Sequence, residues 1–114
     1  MFTPVYRPSG PTIGISVTNS SHAAVQVSTT DGTQPSYALF VNPSTTLTVY
    51  VTVGSTSGVA AATVPTDGGA GSFALGPTQQ IVMPVPYASG SFWVTAIGSA
   101  AGPTLLTVTP VIAM

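Results

Sequence analysis

The chain has 114 residues, a single-domain length, and only three of them are charged: Arg7, Asp31 and Asp67. Ordinary domains are about 25% charged. At 3%, with a net charge of −1, this one has no Lys/Arg cluster to displace counterions from nucleic acid or to meet anionic lipid.

Cysteine is absent, which excludes disulfides, zinc-thiolate sites and thiol nucleophiles. Hydrophobic residues make up 44% and the mean hydropathy is +0.51, the opposite of a disordered composition. Glu and Lys are missing, 12 Gly and 11 Pro interrupt the chain, and Val and Thr dominate. These residues suit a pleated surface and not a helix. No segment approaches the roughly 18 apolar residues of a membrane helix. The opening "MFTPVYRPSGPT" lacks the continuous apolar core of a signal peptide, so production without a cleaved leader is expected.

In chain order, residues 1–12 hold Pro4, Pro8 and Pro11 together with Phe2, Val5, Tyr6 and Arg7. Proline fixes φ and has no donor, so an extended arm is expected, lying on its own domain or on a neighbouring subunit. Residues 13–114 are expected to form one β-sandwich domain. "IGISVT" places Ile13, Ile15 and Val17 on one face by a period of two. After the turn "NSSH", "AAVQVS" turns Val25 and Val27 inward. "DGTQPS", at 31–36, breaks the chain again, because Asp-Gly tolerates positive φ.

"YALFV", at 37–41, is apolar on both faces and reads as a central strand. After "NPS", Leu47 to Val53 alternates with a wet face of Thr48, Tyr50 and Thr52. "VAAATV", at 59–64, predicts a weak strand, and "PTDGGAG" a flexible loop. "SFALGPTQQIVMPV" predicts two short strands around Gly76-Pro77. Pro84 and Pro86 put the second of these at an edge or end it early. "SFWVTAI", "GSAAGP" and "TLLTVTPV" predict a closing hairpin. The sum is an all-β, antiparallel, jelly-roll-like sandwich of about eight short strands.

Chemistry has few places to reside. His22 follows Ser20 and Ser21 in one turn, with nothing in the sequence to orient an imidazole as a triad requires. Asp31 and Asp67 each precede glycine, which turn chemistry explains. One carboxylate per loop is too few for calcium. "GGAG" lacks the lysine and following helix of a phosphate loop. Asn19-Ser20-Ser21 matches a glycosylation acceptor that, without export, is inert. No catalytic residue, cofactor or metal ligand is expected. Phe92 and Trp93 must face opposite sides of their strand, so one is core and the other lies outside or in a subunit contact. Phe2, Val5, Tyr6, Arg7, Tyr50 and Trp93 are the candidate interface residues.

The stretch "GSFALGPTQQIVMPVPYASGSFWVTAIGSAAGPTLLTVTP" resembles the C-terminal half of small capsid decoration (cement) proteins of tailed bacteriophages. The shared pieces are Gly76-Pro77, Gln79 to Met83, Ala96-Ile97, Gly98 to Gly102, and Leu106 to Pro110. "VQVSTTDGTQPSYALFV" is similar to the opening of that group, so the resemblance spans about residues 23 to 112. It departs at the end. Relatives often close on an acidic Gly-rich tail, whereas this chain closes on the apolar "VTPVIAM", expected to tuck into the sheet or against a partner.

The resemblance implies a structural virion protein, made in the host bacterial cytoplasm. It would bind the major capsid protein on the exterior of a phage head and hold capsomers together. Low charge and the apolar arm suggest a homo-oligomer, a trimer ahead of a dimer. The alternatives are a tail component, a surface adhesin module binding a glycan through Trp93 and the tyrosines, or an exported bacterial surface domain.

Overall fold

The computed structural model describes residues 6–30, 37–85, 91–101 and 103–113. Among them there are nine strands and no helix: β1 (Tyr6–Pro8), β2 (Ile13–Val17), β3 (Val25–Ser28), β4 (Tyr37–Val41), β5 (Val49–Gly54), β6 (Phe73–Leu75), β7 (Gln80–Pro84), β8 (Ser91–Gly98) and β9 (Thr104–Ala113). One antiparallel sheet runs β1-β9-β4-β7, with β2 continuing the β1 side of β9. The other runs β3-β8-β5-β6. The arrangement is sandwich-like. Ile15, Val17, Phe40, Leu106 and Val108 of the first sheet form one core with Val27, Val49, Val51, Leu75, Phe92 and Val94 of the second.

The period-two reading places these faces correctly. In β2, Ile15 and Val17 are buried and Gly14 and Ser16 exposed. β4 lies between β7 and β9, the central position its two apolar faces require. Phe40 meets Phe73 of the opposite sheet edge to face, with ring centroids 5.7 Å apart, a favoured aromatic geometry.

Two expectations change. First, "VAAATV" is not a strand. Its short side chains have little to bury, and its backbone groups find scattered partners: Ala62 N donates to Ser21 Oγ and Thr63 N to Ser72 Oγ, each at 3.0 Å. Second, β8 and β9 are not a hairpin, because they lie in opposite sheets. The linker between them first ties to both neighbours, through Gly98 N to Thr18 O at 2.7 Å and Ser99 N to Thr48 O at 2.9 Å. It then crosses the roughly 10 Å between packed sheets. The apolar faces of the two strands thus meet across the core instead of side by side.

The described part of the N-terminal arm lies on its own domain, one of the two placements expected, as a strand of the first sheet. β1 pairs with the last residues of β9, Arg7 opposite Ile112 and Pro8 opposite Val111, so the apolar C-terminal segment is tucked into the sheet. Between β1 and β2 the register jumps: Pro8 faces Val111, but Ile13 faces Val108. The extra residues form a bulge. Gly10 is required there, since a Cβ would collide with Ser28 O and lie 2.9 Å from Pro110 Cγ. Ser9 bridges the two sheets, its N donating to Pro110 O at 2.8 Å and its O accepting from Thr30 N at 2.9 Å.

The bulge also explains a proline in an interior strand. In a strand the N and C=O of one residue point the same way. Pro110 C=O points at Ser9, so its donorless nitrogen faces the bulge and β9 loses no bond to β4.

Candidate functional site

Of the candidate residues, Phe2 and Val5 lie outside the described residues. Tyr6 and Arg7 are in β1, with Arg7 exposed at the sheet margin. Tyr50 and Trp93 share the outer face of the second sheet, both half-buried. Tyr50 lies between Ile97 and Ala74, and Trp93 between Gln26 and Gly54. Phe92 is fully buried, so the two adjacent aromatics split between core and outer face as alternation demands.

These outer aromatics do not converge. Trp93 pairs with Gly54, four residues along β5 from Tyr50, which separates them by about 13 Å of strand. Between them lie Thr52 and Thr95, and the 55–72 connection folds back over this pair. Thr95 Oγ1 donates to Ala60 O at 2.9 Å, and Thr52 and Ser72 hydrogen-bond through their hydroxyls. Thr95 is buried as a result, only 3% exposed, although it faces outward from its sheet. The wet face of β5 thus receives the chain's own loop, with neutral hydroxyls satisfying its backbone.

Among the described residues the connection borders shallow clefts, two of them of about 330 Å³ each. One, lined by Thr52, Ala60, Ala61, Thr63 and Ser72, lies over the threonine pair. The other opens between the sheets at Val51, Val53, Phe73, Met83 and Pro84.

The titratable groups are dispersed. His22 Nδ1 donates to Ala23 O at 2.7 Å, and Ser21 Oγ accepts from Ala62 N, so the imidazole and the neighbouring hydroxyl serve the backbone separately. Asp67 is exposed in a turn closed by Gly69 N to Thr66 O at 2.8 Å, with Gly68 at φ 73°. Asp31 lies outside the described residues. Among the described residues no group of three or more His, Cys, Asp or Glu is placed to hold a metal. Among the described residues no helix is long and apolar enough to cross a membrane.

The residue that organises the loops is one the sequence presents only as part of a turn. Asn42 is fully buried. Its Nδ2 donates to Leu47 O at 2.8 Å and to Leu75 O and Gly76 O at 3.0 Å, while Oδ1 accepts from Ser44 N at 3.2 Å. One amide therefore joins the β4–β5 loop to the end of β6 and the β6–β7 turn.

The outer face of the first sheet is also apolar and hydroxyl-bearing: half-buried Tyr37, Leu39 and Val41 of β4 stand beside Thr107 and Thr109 of β9. Leu105 is 54% exposed at its rim. No protein-family model matches the chain, and no curated protein matches it.

Proposed function

We propose that the chain is a capsid decoration protein, a jelly roll that binds the exterior of a bacteriophage head and holds capsomers together. The jelly-roll reading is supported by the pairing of β2 with β9, β3 with β8, β4 with β7 and β5 with β6, the nesting expected of a long hairpin rolled into two sheets. Jelly rolls serve viral capsids and also lectins, so the fold alone does not choose between them.

The observation that carries the choice is the surface: three charged residues over 5942 Å² of accessible area. Thr, Ser and backbone groups offer hydrogen bonds without the desolvation cost of burying ions. Contacts made this way are weak singly and strong when repeated over a lattice of identical sites. A glycan adhesin needs its aromatics gathered on one concave patch, and the loop between Tyr50 and Trp93 separates them.

The test begins with gene order: a major capsid gene next door supports decoration, and tail-fibre genes next door support adhesion. Purified chain is then mixed with heads assembled from the neighbouring capsid protein and sedimented at rising NaCl. Uncharged contacts predict co-sedimentation that persists at 1 M salt, where the Debye length is only about 3 Å. Release at moderate salt, or no co-sedimentation at all, contradicts the proposal.

A further inference from the structure

Strands β6 and β7 end their respective sheets on the same flank of the molecule. The 55–72 connection closes on itself just before β6: Ser72 N donates to Thr63 O at 3.0 Å, and Thr63 N to Ser72 Oγ at 3.0 Å. Among the described residues no strand pairs with β7 on the side away from β4, and Gln80, Ile81 and Pro84 are exposed.

The hydrogen-bond phase of β7 follows from its first contact. Asn42 N donates to Gln79 O at 3.0 Å, in line with the β4–β7 register. Main-chain groups alternate sides along a strand, so Gln79, Ile81 and Met83 address β4. Gln80, Val82 and Pro84 present theirs to the open side. Their side chains alternate as well. Ile81 and Met83 lie on the core side of the sheet, opposite Phe40 and Ala38. Ile81 remains 39% exposed, and Met83 lines the cleft with Phe73 and Val53.

We propose that β7 is a contact between two copies of this chain, paired antiparallel about a two-fold axis through Val82. In this register the two Val82 residues exchange both N–H···O bonds. Each Gln80 N–H reaches the Pro84 carbonyl of the other copy. Every outward donor of β7 is met, and the proline's missing donor falls opposite a Gln80 carbonyl that solvent can reach. On the core side, Ile81 of each copy faces Met83 of the other, which covers the open cleft at the sandwich flank. Edge strands are blunted by charge, by proline or by shortness; β7 carries no charge, and its one blunting residue, Pro84, stands at its end. A two-fold contact of this kind is self-complementary and closes at two copies. The inference stands on the edge geometry and not on the capsid reading: a dimer that ignores phage heads would keep this proposal and remove the other.

The chain has no cysteine, so single introduced cysteines report cleanly. Val82→Cys places two Cα atoms about 5.5 Å apart across the axis, within disulfide reach. Oxidation is expected to yield a disulfide dimer, while Ser16→Cys, on the opposite margin of the sheet, stays single. Light scattering at high micromolar concentration is expected to give twice the 11.4 kDa chain mass for the wild type.

Val82→Pro removes the outward donor but no bond to β4, and is expected to give the mass of one chain with an unchanged circular-dichroism spectrum. Val82→Lys sets two ammonium groups face to face and is expected to do the same should the proline variant fail to fold. A wild-type mass of one or three chains, a dimer mass retained by Val82→Lys, or cross-linking of Ser16→Cys in place of Val82→Cys overturns the proposal.

Discussion

Replacing Asn42 with alanine tests how much of the fold hangs on one buried amide. The Nδ2 group supplies two protons to three carbonyls, those of Leu47, Leu75 and Gly76. Each hydrogen bond is worth about 1 kcal/mol net, and each buried carbonyl left without a donor costs about 1–3 kcal/mol. Relaxation and water entry recover part of this. The expected loss for Asn42→Ala is therefore about 3–4 kcal/mol, a large share of the roughly 5–15 kcal/mol that holds a domain together. At about 4 °C per kcal/mol for a domain near this size, Tm should fall by about 12–16 °C in a calorimetric or circular-dichroism melt.

Asn42→Asp sharpens the test. It sets a carboxylate among the same carbonyl oxygens, which disfavour its charged form and raise its folded pKa above the unfolded value. Such a group binds more protons folded than unfolded, so the variant should gain stability as pH falls through the carboxylate range. Thr46→Ala, on the exposed part of the same loop, should stay within about 0.5 kcal/mol of wild type. An Asn42→Ala variant within about 1 kcal/mol of wild type would refute the reasoning.

Gly10→Ala forces a methyl against Ser28 O and Pro110 Cγ, so urea unfolding should show a loss of about 2–3 kcal/mol. Thr78 holds φ 58° as the third residue of the Gly76–Gln79 turn, closed by Gln79 N to Gly76 O at 3.1 Å. A turn of that geometry favours glycine there. Thr78→Gly should raise the urea midpoint by the equivalent of about 0.5–1 kcal/mol, the relief of strain exceeding the added unfolded-state entropy. With one His, one Arg and two Asp in the whole chain, Tm should vary little between about pH 5 and pH 9. A steep slope in a pH series of melts would contradict this.

The strand pattern was legible because alternation survives even where the wet face is Thr and Tyr instead of charge. Ile15 and Val17, Val27, Phe40, and Val49 and Val51 all point where their spacing says. The edge position of β7 was legible from Pro84. The partner of each strand was not. "GSAAGP" has the length and residues of a hairpin turn, and the same residues also suffice to cross between sheets. Only the core, in which Phe92 and Val94 share one cluster with Leu106 and Val108, decides for the crossing.

Asn42 was hidden for a related reason. In "NPS" it reads as turn chemistry, and its role depends on Leu47, Leu75 and Gly76 arriving from elsewhere. Tyr50 lies on the outer face its spacing gives it, while alternation alone left open which of Phe92 and Trp93 is core, and Trp93 is the one outside. Within the loop that separates Tyr50 from Trp93, residues 59–64 read as a weak strand because Val59, Thr63 and Val64 carry β propensity whether or not a neighbour offers an edge. Ile81, Val82 and Met83 were not among the candidate interface residues, since their exposure follows from β7 ending its sheet beside the short β6.

The most direct measurement of the central claim is a density map of heads assembled from the neighbouring capsid protein, with and without added chain. The account predicts additional two-sheet density on the outer surface, bridging adjacent capsomers at repeated positions. Heads that look the same in both maps, or density confined to the tail-attachment vertex, would contradict it.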